Sequence, residues 1–321
     1  MKDFLRKAKA VIVGHAVGDA LGVPVESRSR EYLEKNPVTD MTGFGVYPVP
    51  KGSWSDDTSM SLCALASIAE QSGKVGVMQN FERWLYNGEF TPTGVTFDAG
   101  RTCEAAIRAF IGGESVYGCG QNGEYSNGNG SLMRIHPFTL YAFKIFNKMT
   151  LNHFEFISEA SALTHAHPRS RAACVLYSFI LWELLENPCK QSVAAGLNNA
   201  DRVYAHYSGG WGTHIDEYNE LPKFQRLFDG IQTLDRNSIQ SSAYVVDTLE
   251  AAIWCLLTTD SYKECVLKAV NLGRDTDTTA AVAGGLAGAL YGYDAIPEEW
   301  RNTLLRREYI EQLCEKAFNI K

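Results

Sequence analysis

The apolar positions of this chain recur with the period of an α-helix wherever a period can be read. After Asp260, one face carries apolar residues at i, i+3, i+4 and i+7, namely Tyr262, Cys265, Val266 and Ala269. Ser261 and Glu264 have the spacing of a capping box, which predicts that a helix begins there. The preceding run, residues 245–257, also places its apolar side chains on one helical face. The pattern predicts two consecutive amphipathic helices.

Other stretches indicate helices buried in the centre of the fold. Residues 172–185 and 60–69 are apolar almost all round, as in a helix that other helices surround. Strand-like alternation is scarce, and the β-branched cluster at residues 11–13 lies inside a longer helical pattern. No fixed-period repeat or Pro/Gly/Ser linker divides the chain. The pattern therefore predicts an all-α multi-helix bundle that forms a single domain over residues 1–321, with polar, glycine-rich loops at 118–130 and 206–222.

Composition and charge fit a folded globular protein. Hydrophobic residues make up 45% of the chain and charged residues 21%, which argues against disorder and against a polytopic membrane protein. The 30 basic and 37 acidic residues leave a formal charge of −7, the wrong sign for stable nucleic-acid binding. A basic N-terminus precedes an apolar stretch, but His15 and Asp19 interrupt it, so neither an export signal nor a membrane segment is expected.

The eight cysteines indicate reduced thiols rather than a metal or redox site. They never come closer than ten residues, so the chain has no Cys-x-x-Cys pair. Cys63, Cys174 and Cys255 lie in apolar helical runs, where a thiol packs as a small hydrophobic group. We therefore expect a reducing, cytoplasmic location.

Two acidic stretches carry the candidate chemistry. Residues 52–58 read GSWSDDT and residues 273–279 read GRDTDTT, and each leads into an apolar or small-residue helix. Carboxylates and hydroxyls at a helix start often act only as caps and dipole partners. They are also the hard oxygen ligands that Mg²⁺ or Mn²⁺ prefers. If the two stretches converge with Glu26, five carboxylates meet, and a pair of divalent cations would relieve their repulsion.

Glycines near these stretches favour close helix packing. Gly14, Gly18 and Gly22 recur every four residues, and Gly284 and Gly288 lie in a late small-residue helix. Glycine inside a helix costs ~1 kcal/mol relative to alanine, so another backbone is expected to approach there. Two helices packed side by side would explain the repeated glycines. They would do so whether or not the packed helices also carry metal ligands.

Two further motifs each allow two interpretations. The loop at 126–131, SNGNGS, can present consecutive backbone N–H groups to a phosphate, or it is a flexible surface turn. In the stretch THAHP at 164–168, His165 and His167 are two residues apart and do not share a helical face, which disfavours zinc. His165 is interpreted as a hydrogen-bond donor to a ligand or as a helix cap.

Taken together, the motifs resemble those of the ADP-ribosylglycohydrolase family. The matching segments span residues 14–292 in the family's order: GHAVGDALGVPVE (14–26), GSWSDDTSM (52–60), TFDAGRT (96–102), NGNGSLMR (127–134), THAHP (164–168) and GRDTDTTAAVAGGLAGALYG (273–292). The SDDT and DTDT motifs are specific in combination. The resemblance implies an all-α bundle with a central cleft for two Mg²⁺ or Mn²⁺ ions. It also implies an enzyme that releases ADP-ribose from a modified acceptor, such as a protein arginine, or from a small conjugate.

The resemblance assigns roles to individual residues. The implied metal ligands come from the two acidic stretches: Ser55, Asp56, Asp57, Asp275, Asp277 and Thr278. The implied catalytic residues are Glu26, as an acid/base group or mobile ligand, with Asp56, Asp57 and Asp98. Asp98 would orient a departing guanidinium, and the glycine-rich loop and His165 would hold the pyrophosphate or its neighbouring ribose. The implied substrate-binding residues are Asp98, Gly100, Gly128, Asn129, Gly130, Ser131 and His165.

Two positions depart from the family's pattern. Ser55 stands where several members have threonine, and its hydroxyl can still bind a metal. Arg101 stands where asparagine is frequent, and a cation there disfavours a positively charged arginine leaving group. The identity of the modified residue is therefore open.

Two other functions fit parts of the sequence. Residues 275–279 resemble the nucleophile motif of haloacid-dehalogenase-like phosphatases, but that motif follows a strand, whereas a capped helix precedes it here. A non-catalytic ADP-ribose-binding or crystallin-like protein would have lost metal ligands, and all the expected acidic positions are present. No heptad seam indicates an oligomer, and the oligomeric state stays open, with a monomer favoured.

Overall fold

Helices joined by loops build the whole fold. The computed structural model describes residues 2–146, 148–208 and 216–319, and within these ranges it has fifteen α-helices and no β-sheet. The first eight are α1 (Lys2–Gly22), α2 (Arg30–Lys35), α3 (Asp56–Glu70), α4 (Gly73–Asn87), α5 (Arg101–Ile111), α6 (His136–Ile145), α7 (Leu151–Ala162) and α8 (Pro168–Glu186). The other seven are α9 (Gln191–Ser208), α10 (Gln225–Phe228), α11 (Val245–Leu257), α12 (Tyr262–Val270), α13 (Thr276–Tyr291), α14 (Glu298–Thr303) and α15 (Arg307–Phe318). Short 3₁₀ helices span Val23–Val25, Leu132–Arg134, Asp216–Phe224, Ile231–Thr233, Arg236–Ser238 and Tyr293–Ala295. The prediction of an all-α fold is confirmed.

The long helices α1 and α13 pack side by side and antiparallel through the middle of the fold. At Gly18, a Cβ atom would lie 2.1 Å from the carbonyl oxygen of Ala280, and at Gly22 one would lie 2.3 Å from the Cα of Asp277. Glycine is required at both positions because a side chain would collide with the opposite backbone. The expectation that the repeated glycines mark two packed helices is confirmed. This packing brings the last turn of α1 against the first turn of α13.

Apolar helices surround this pair. α3 is buried from Asp56 to Ile68, and most of α8 and α11 is buried as well, as their apolar sequences predict. α1 is apolar and long enough to cross a membrane by length and composition, but 89% of its most apolar window is buried inside the fold. That is the environment of a core helix.

Local signals place the helix ends. The Ser261 side chain accepts a hydrogen bond from the backbone N–H of Glu264 (3.2 Å), and the Glu264 carboxylate accepts one from the N–H of Asp260 (3.0 Å). The predicted capping box is therefore formed at the start of α12. Its carboxylate accepts from the N–H of Asp260, the residue before the N-cap, instead of from the N–H of Ser261 itself.

The polar segment at 206–222 is only partly a loop, so this prediction is corrected. α9 continues to Ser208, and Asp216–Phe224 forms a 3₁₀ helix, while residues 209–215 lie outside the described part of the chain. The reason is burial, because Leu221 and Phe224 are both buried and the 3₁₀ helix packs against α8. In contrast, the stretch at 118–130 has no helix, as predicted.

Candidate functional site

The two acidic stretches converge on one cavity. α3 begins at Asp56 and α13 begins at Thr276, and both starts face a cavity of about 580 Å³. The predicted residues that line it are Glu26, Asp56, Asp98, Gly100, Gly128, Asn129, Gly130, His165, Asp275, Asp277 and Thr278. Ser55, Asp57 and Ser131 do not line it. Because a helix N-terminus carries partial positive charge, two such ends favour the carboxylates gathered between them.

One hydrogen bond joins the two stretches directly. Ser55 caps α3, and its hydroxyl donates to Oδ2 of Asp57 at 2.9 Å. The hydroxyl of Thr278, from the first turn of α13, also lies 3.3 Å from this Oδ2. The two motifs are 221 residues apart in the chain and share one carboxylate. Their predicted convergence is confirmed.

Asp19 supports the start of α3, and sequence analysis assigned it no role. Its carboxylate accepts hydrogen bonds from the N–H of Ser55 (2.9 Å), the N–H of Thr58 (3.1 Å) and the hydroxyl of Thr58 (2.6 Å). Burial raises the pKa of Asp19 to about 6, against the opposing effect of these hydrogen bonds. An acidic residue in an otherwise apolar, glycine-repeating helix was the available signal.

The carboxylates of the cavity repel one another. Burial raises the pKa of Asp277 well above its usual value, and Glu26 and Asp57 act in the same direction as like charges. Burial also raises the pKa of Glu26 to about 7, with further contributions from Asp98 and Asp275. The site therefore favours a positive charge between these groups.

The donor set fits divalent cations. Oxygen atoms of Asp19, Asp57 and Asp277 lie within 4.8 Å of one another, and so do oxygen atoms of Glu26, Asp98 and Asp277. Among the described residues, Oδ1 of Asp57 and Oε2 of Glu26 are buried without a hydrogen-bond partner. Buried carboxylate oxygens without donors are costly, and hard cations such as Mg²⁺ or Mn²⁺ bind oxygen ligands of this kind. The residues present fit a metal pair.

The glycine-rich loop differs in detail from the expectation. Asn129 uses its side-chain N–H groups on Oδ2 of Asp275 (2.6 Å) and on the Thr248 hydroxyl (2.9 Å), and its backbone N–H donates to Ala243 (3.0 Å). The Ser131 side chain is buried behind the wall, 2.9 Å from the Ser161 hydroxyl. In the part of the chain that the structure describes, the N–H groups of Gly128 and Gly130 have no hydrogen-bond acceptor. These two N–H groups therefore have no protein acceptor that would compete with an anion.

His165 faces the cavity as a neutral donor. The Arg134 guanidinium donates to the Thr164 hydroxyl at 2.7 Å, and this hydroxyl lies 2.9 Å from Nδ1 of His165. This order favours the tautomer with hydrogen on Nε2, on the cavity side. Burial lowers the pKa of His165 to about 3, and Arg134 acts in the same direction. The cap of α8 is His167, whose Nδ1 accepts the N–H of Arg169 at 3.1 Å.

Tyr47 is a second residue whose role the sequence does not indicate. Its hydroxyl faces the carboxyls of both Glu26 and Asp98, and its ring packs on Phe97 with centroids 5.0 Å apart. Burial, the hydrogen bond to Glu26 and the nearby carboxylates raise the pKa of Tyr47, so the hydroxyl keeps its proton and can donate. Nothing in the residues around position 47 indicates this contact, because the fold alone brings this loop to the cavity.

Comparison with known proteins adds independent information. Residues 1–321 match the family model described as ADP-ribosylglycohydrolase. The chain is 34% identical to the ADP-ribosylarginine hydrolase Tri1 of Serratia proteamaculans over 98% of this chain and 80% of that protein. It is 31% identical to the ADP-ribosyl-[dinitrogen reductase] glycohydrolase of Rhodospirillum rubrum over 93% of this chain and 90% of that one. A solved structure, described as an ADP-ribosylglycohydrolase-related protein complex, superimposes with a TM-score of 0.80 at 28% identity and covers 99% of both chains.

Proposed function

The chain belongs to the ADP-ribosylglycohydrolase family of glycosyl-bond hydrolases, and we propose that it cleaves the bond between ADP-ribose and a modified protein side chain, such as arginine. The observation that carries the proposal is the meeting of both acidic helix starts and the glycine-rich loop at one cavity. Such a cavity offers carboxylates for a ribose and a leaving group, and backbone N–H groups for a diphosphate.

A pair of Mg²⁺ or Mn²⁺ ions belongs to the proposal. The residues that would hold them are Asp56, Asp275, Asp277 and Thr278, which line the cavity, and Asp57, whose carboxylate lies beside that of Asp277, with Glu26 at their edge. Ser55, the remaining implied ligand, is outside the cavity lining and donates to Asp57. When bound, such ions polarise ribose hydroxyls and a water molecule. Asp19 keeps the start of α3 in place beneath this set, and the amide of Asn129 orients Asp275.

The other side chains bind the substrate and handle its protons. We assign the diphosphate to the N–H groups of Gly128 and Gly130, with Nε2 of His165 donating beside them. Glu26 delivers or removes the proton that cleavage of a glycosidic bond requires. Asp98 accepts hydrogen bonds from a departing guanidinium, and Tyr47 holds the two carboxyls in position.

The test is the release of ADP-ribose from defined linkages. Arginine-linked and serine-linked mono-ADP-ribosylated proteins are incubated with the purified protein and Mg²⁺, Mn²⁺ or a chelator, and free ADP-ribose is quantified by chromatography. We expect metal-dependent release from the arginine linkage. Release from the serine linkage alone would change the assigned acceptor, and release that persists in chelator would contradict the metal pair. Binding of ADP-ribose without any release would contradict the hydrolase.

A further inference from the structure

Two exposed arginines line the cavity without a partner of their own. Among the residues that the structure describes, the side chains of Arg101 and Arg274 have no carboxylate or other acceptor within bonding distance. Arg108, which lies two turns after Arg101 on α5 and outside the cavity, is instead paired with Glu104. The cavity therefore has two unpaired cations in its wall, above an acidic floor.

Both arginines occupy positions that the local backbone disfavours. Arg101 is the first residue of α5, where the helix dipole is unfavourable for a cation. Arg274 has a φ of 64°, in the left-handed region that suits glycine, and its N–H donates to the carbonyl of Arg28 at 2.6 Å. The N–H of Ser27 closes the contact by donating to the Arg274 carbonyl at 2.6 Å. Strained backbone of the kind seen at Arg274 is often found at functional sites.

The charges of the cavity are divided between its floor and its rim. Asp56, Asp98 and Asp277 place carboxyl groups inside, while Arg101 and Arg274 are exposed at the opening. The whole chain carries a formal charge of −7, so these two arginines form a positively charged patch on a protein whose net charge is negative. A basic rim suits acidic groups that stay outside the cavity.

We propose that Arg101 and Arg274 bind acidic side chains that flank the modified residue of an ADP-ribosylated polypeptide. This inference rests on the proposed function and specifies its substrate class. The diphosphate of ADP-ribose is the other anion within reach, but the free N–H groups of Gly128 and Gly130 already provide for it. Because Arg101 is exposed at the rim and Asp98 is half-buried, the cation contacts the flanking chain rather than the leaving group.

The experiment compares two arginine-linked mono-ADP-ribosyl peptides that differ only in having glutamate or lysine on both sides of the modified residue. Both kcat/KM for release and the equilibrium Kd are measured. For the natural chain we expect roughly tenfold higher kcat/KM and tighter binding for the glutamate peptide at low salt, and the preference should shrink as salt rises. The paired substitution Arg101→Glu with Arg274→Glu should reverse the preference.

Two single variants separate binding from folding. Arg274→Gly suits the left-handed backbone, so this variant should fold and lose part of the preference. Arg108→Glu changes the charge of α5 by the same amount outside the cavity and should keep the full preference. Equal kcat/KM for both peptides in the natural chain would overturn the proposal. So would a paired variant that weakens free ADP-ribose and both peptides by one common factor, because that result would assign the arginines to the diphosphate.

The two proposals can fail separately. If neither peptide is hydrolysed but the glutamate peptide still binds more tightly, the hydrolase assignment fails and the acidic preference holds. If both peptides are hydrolysed and bound equally well, the hydrolase assignment holds and the rim does not select acidic chains.

Discussion

The side-chain amide of Asn129 donates a 2.6 Å hydrogen bond to Oδ2 of Asp275, and this bond links the glycine-rich loop to the start of α13. Each of the two segments carries a different part of the proposed chemistry. The bond fixes the carboxylate of Asp275 relative to the N–H groups of Gly128 and Gly130. This side chain therefore connects the acidic set to the anion-binding loop directly.

Replacing Asn129 with alanine should lower activity more than stability. Asn129→Ala removes a charge-assisted hydrogen bond, an interaction of about 1.5–3 kcal/mol, so kcat/KM should fall at least about tenfold. Asn127→Ala is the matched control, because Asn127 is buried in the same loop and bonds the carbonyl of Glu124 instead of Asp275. ADP-ribose release and thermal melting of both variants check this. Equal activity losses in the two would show that Asn129 acts only through the loop's stability.

Asp277→Asn should abolish turnover while making the metal-free protein more stable. Asp277 is common to both groups of three carboxylates, so its loss should lower kcat by at least about a hundredfold if the pair of cations operates. Without metal, the same change removes a buried charge that Glu26 and Asp57 repel, which should raise the free energy of unfolding by about 1–3 kcal/mol. Steady-state turnover measures the change in kcat, and urea unfolding in chelator measures the change in the free energy of unfolding. Undiminished turnover at the same metal content would rule out the assignment.

The sequence could predict the fold because helical periodicity is a local pattern, and the resemblance to the family implied that the acidic motifs meet. Helical periodicity gave α11 and α12, and the glycines at 18 and 22 gave the packing of α1 on α13. That packing forces the end of α1 and the start of α13 together, so the family motifs in them have to converge. The 3₁₀ helix Asp216–Phe224 was not predicted because its sequence is mostly polar. Its two buried apolar side chains, Leu221 and Phe224, do not form a periodic pattern.

Individual side-chain hydrogen bonds between distant segments could not be predicted. Asp19 contacts Ser55 and Thr58 across 36 and 39 residues, and only the packed helices show that its carboxylate serves as their acceptor. The side-chain N–H groups of Asn129 likewise donate to Thr248 and Asp275, which are more than a hundred residues away in the chain. The single domain, the cytoplasmic location and the roles of individual site residues stay predictions.

Binding of divalent metal should raise the melting temperature. An ion that binds only the folded chain stabilises it by mass action, by about 2.7 kcal/mol at a concentration one hundred times its Kd. The expected order of melting temperatures is Mg²⁺ or Mn²⁺ above chelator, measured by scanning calorimetry on the same preparation. The shift should vanish in Asp277→Asn and persist in Asp294→Asn, which removes an exposed carboxylate paired with Arg6 outside the cavity. Coincident curves in metal and chelator would contradict a preformed site.

The stability of the fold should decrease in acid partly through His153. This side chain is buried between Phe179 and Trp182, with its Nε2 2.9 Å from the Ser178 hydroxyl, and burial lowers its pKa from 6.5 to about 3. Below pH 6.5 the unfolded chain binds a proton there that the folded chain does not. Stability is therefore lost as pH falls from 6.5 toward 3, by up to about 1.4 kcal/mol per pH unit.

The paired substitution His153→Phe with Ser178→Ala isolates this contribution, because no group titrates at position 153 in either state. The carboxylates of the cavity have raised pKa values and act in the opposite direction, but they are common to both proteins and cancel in the difference. Between pH 7.5 and 5, the natural chain should lose about 2 kcal/mol more of its free energy of unfolding than the paired variant, measured in urea. Parallel pH profiles would contradict a neutral, buried His153.

Tyr47→Phe should reduce kcat without changing the fold. The phenylalanine ring keeps the contact with Phe97, while the hydroxyl that faces Glu26 and Asp98 is lost. Loss of a hydrogen bond to a charged carboxyl costs about 1.5–3 kcal/mol, which corresponds to a decrease of about ten- to a hundredfold in kcat. Because the hydroxyl orients the reacting carboxyls, the decrease should be in kcat, with KM and the melting temperature nearly constant. Tyr86→Phe, which removes the hydroxyl of an exposed tyrosine on α4, is the control and should leave both kinetic constants unchanged. If Tyr47→Phe instead raised KM at constant kcat, Tyr47 would contact the substrate rather than position Glu26 and Asp98.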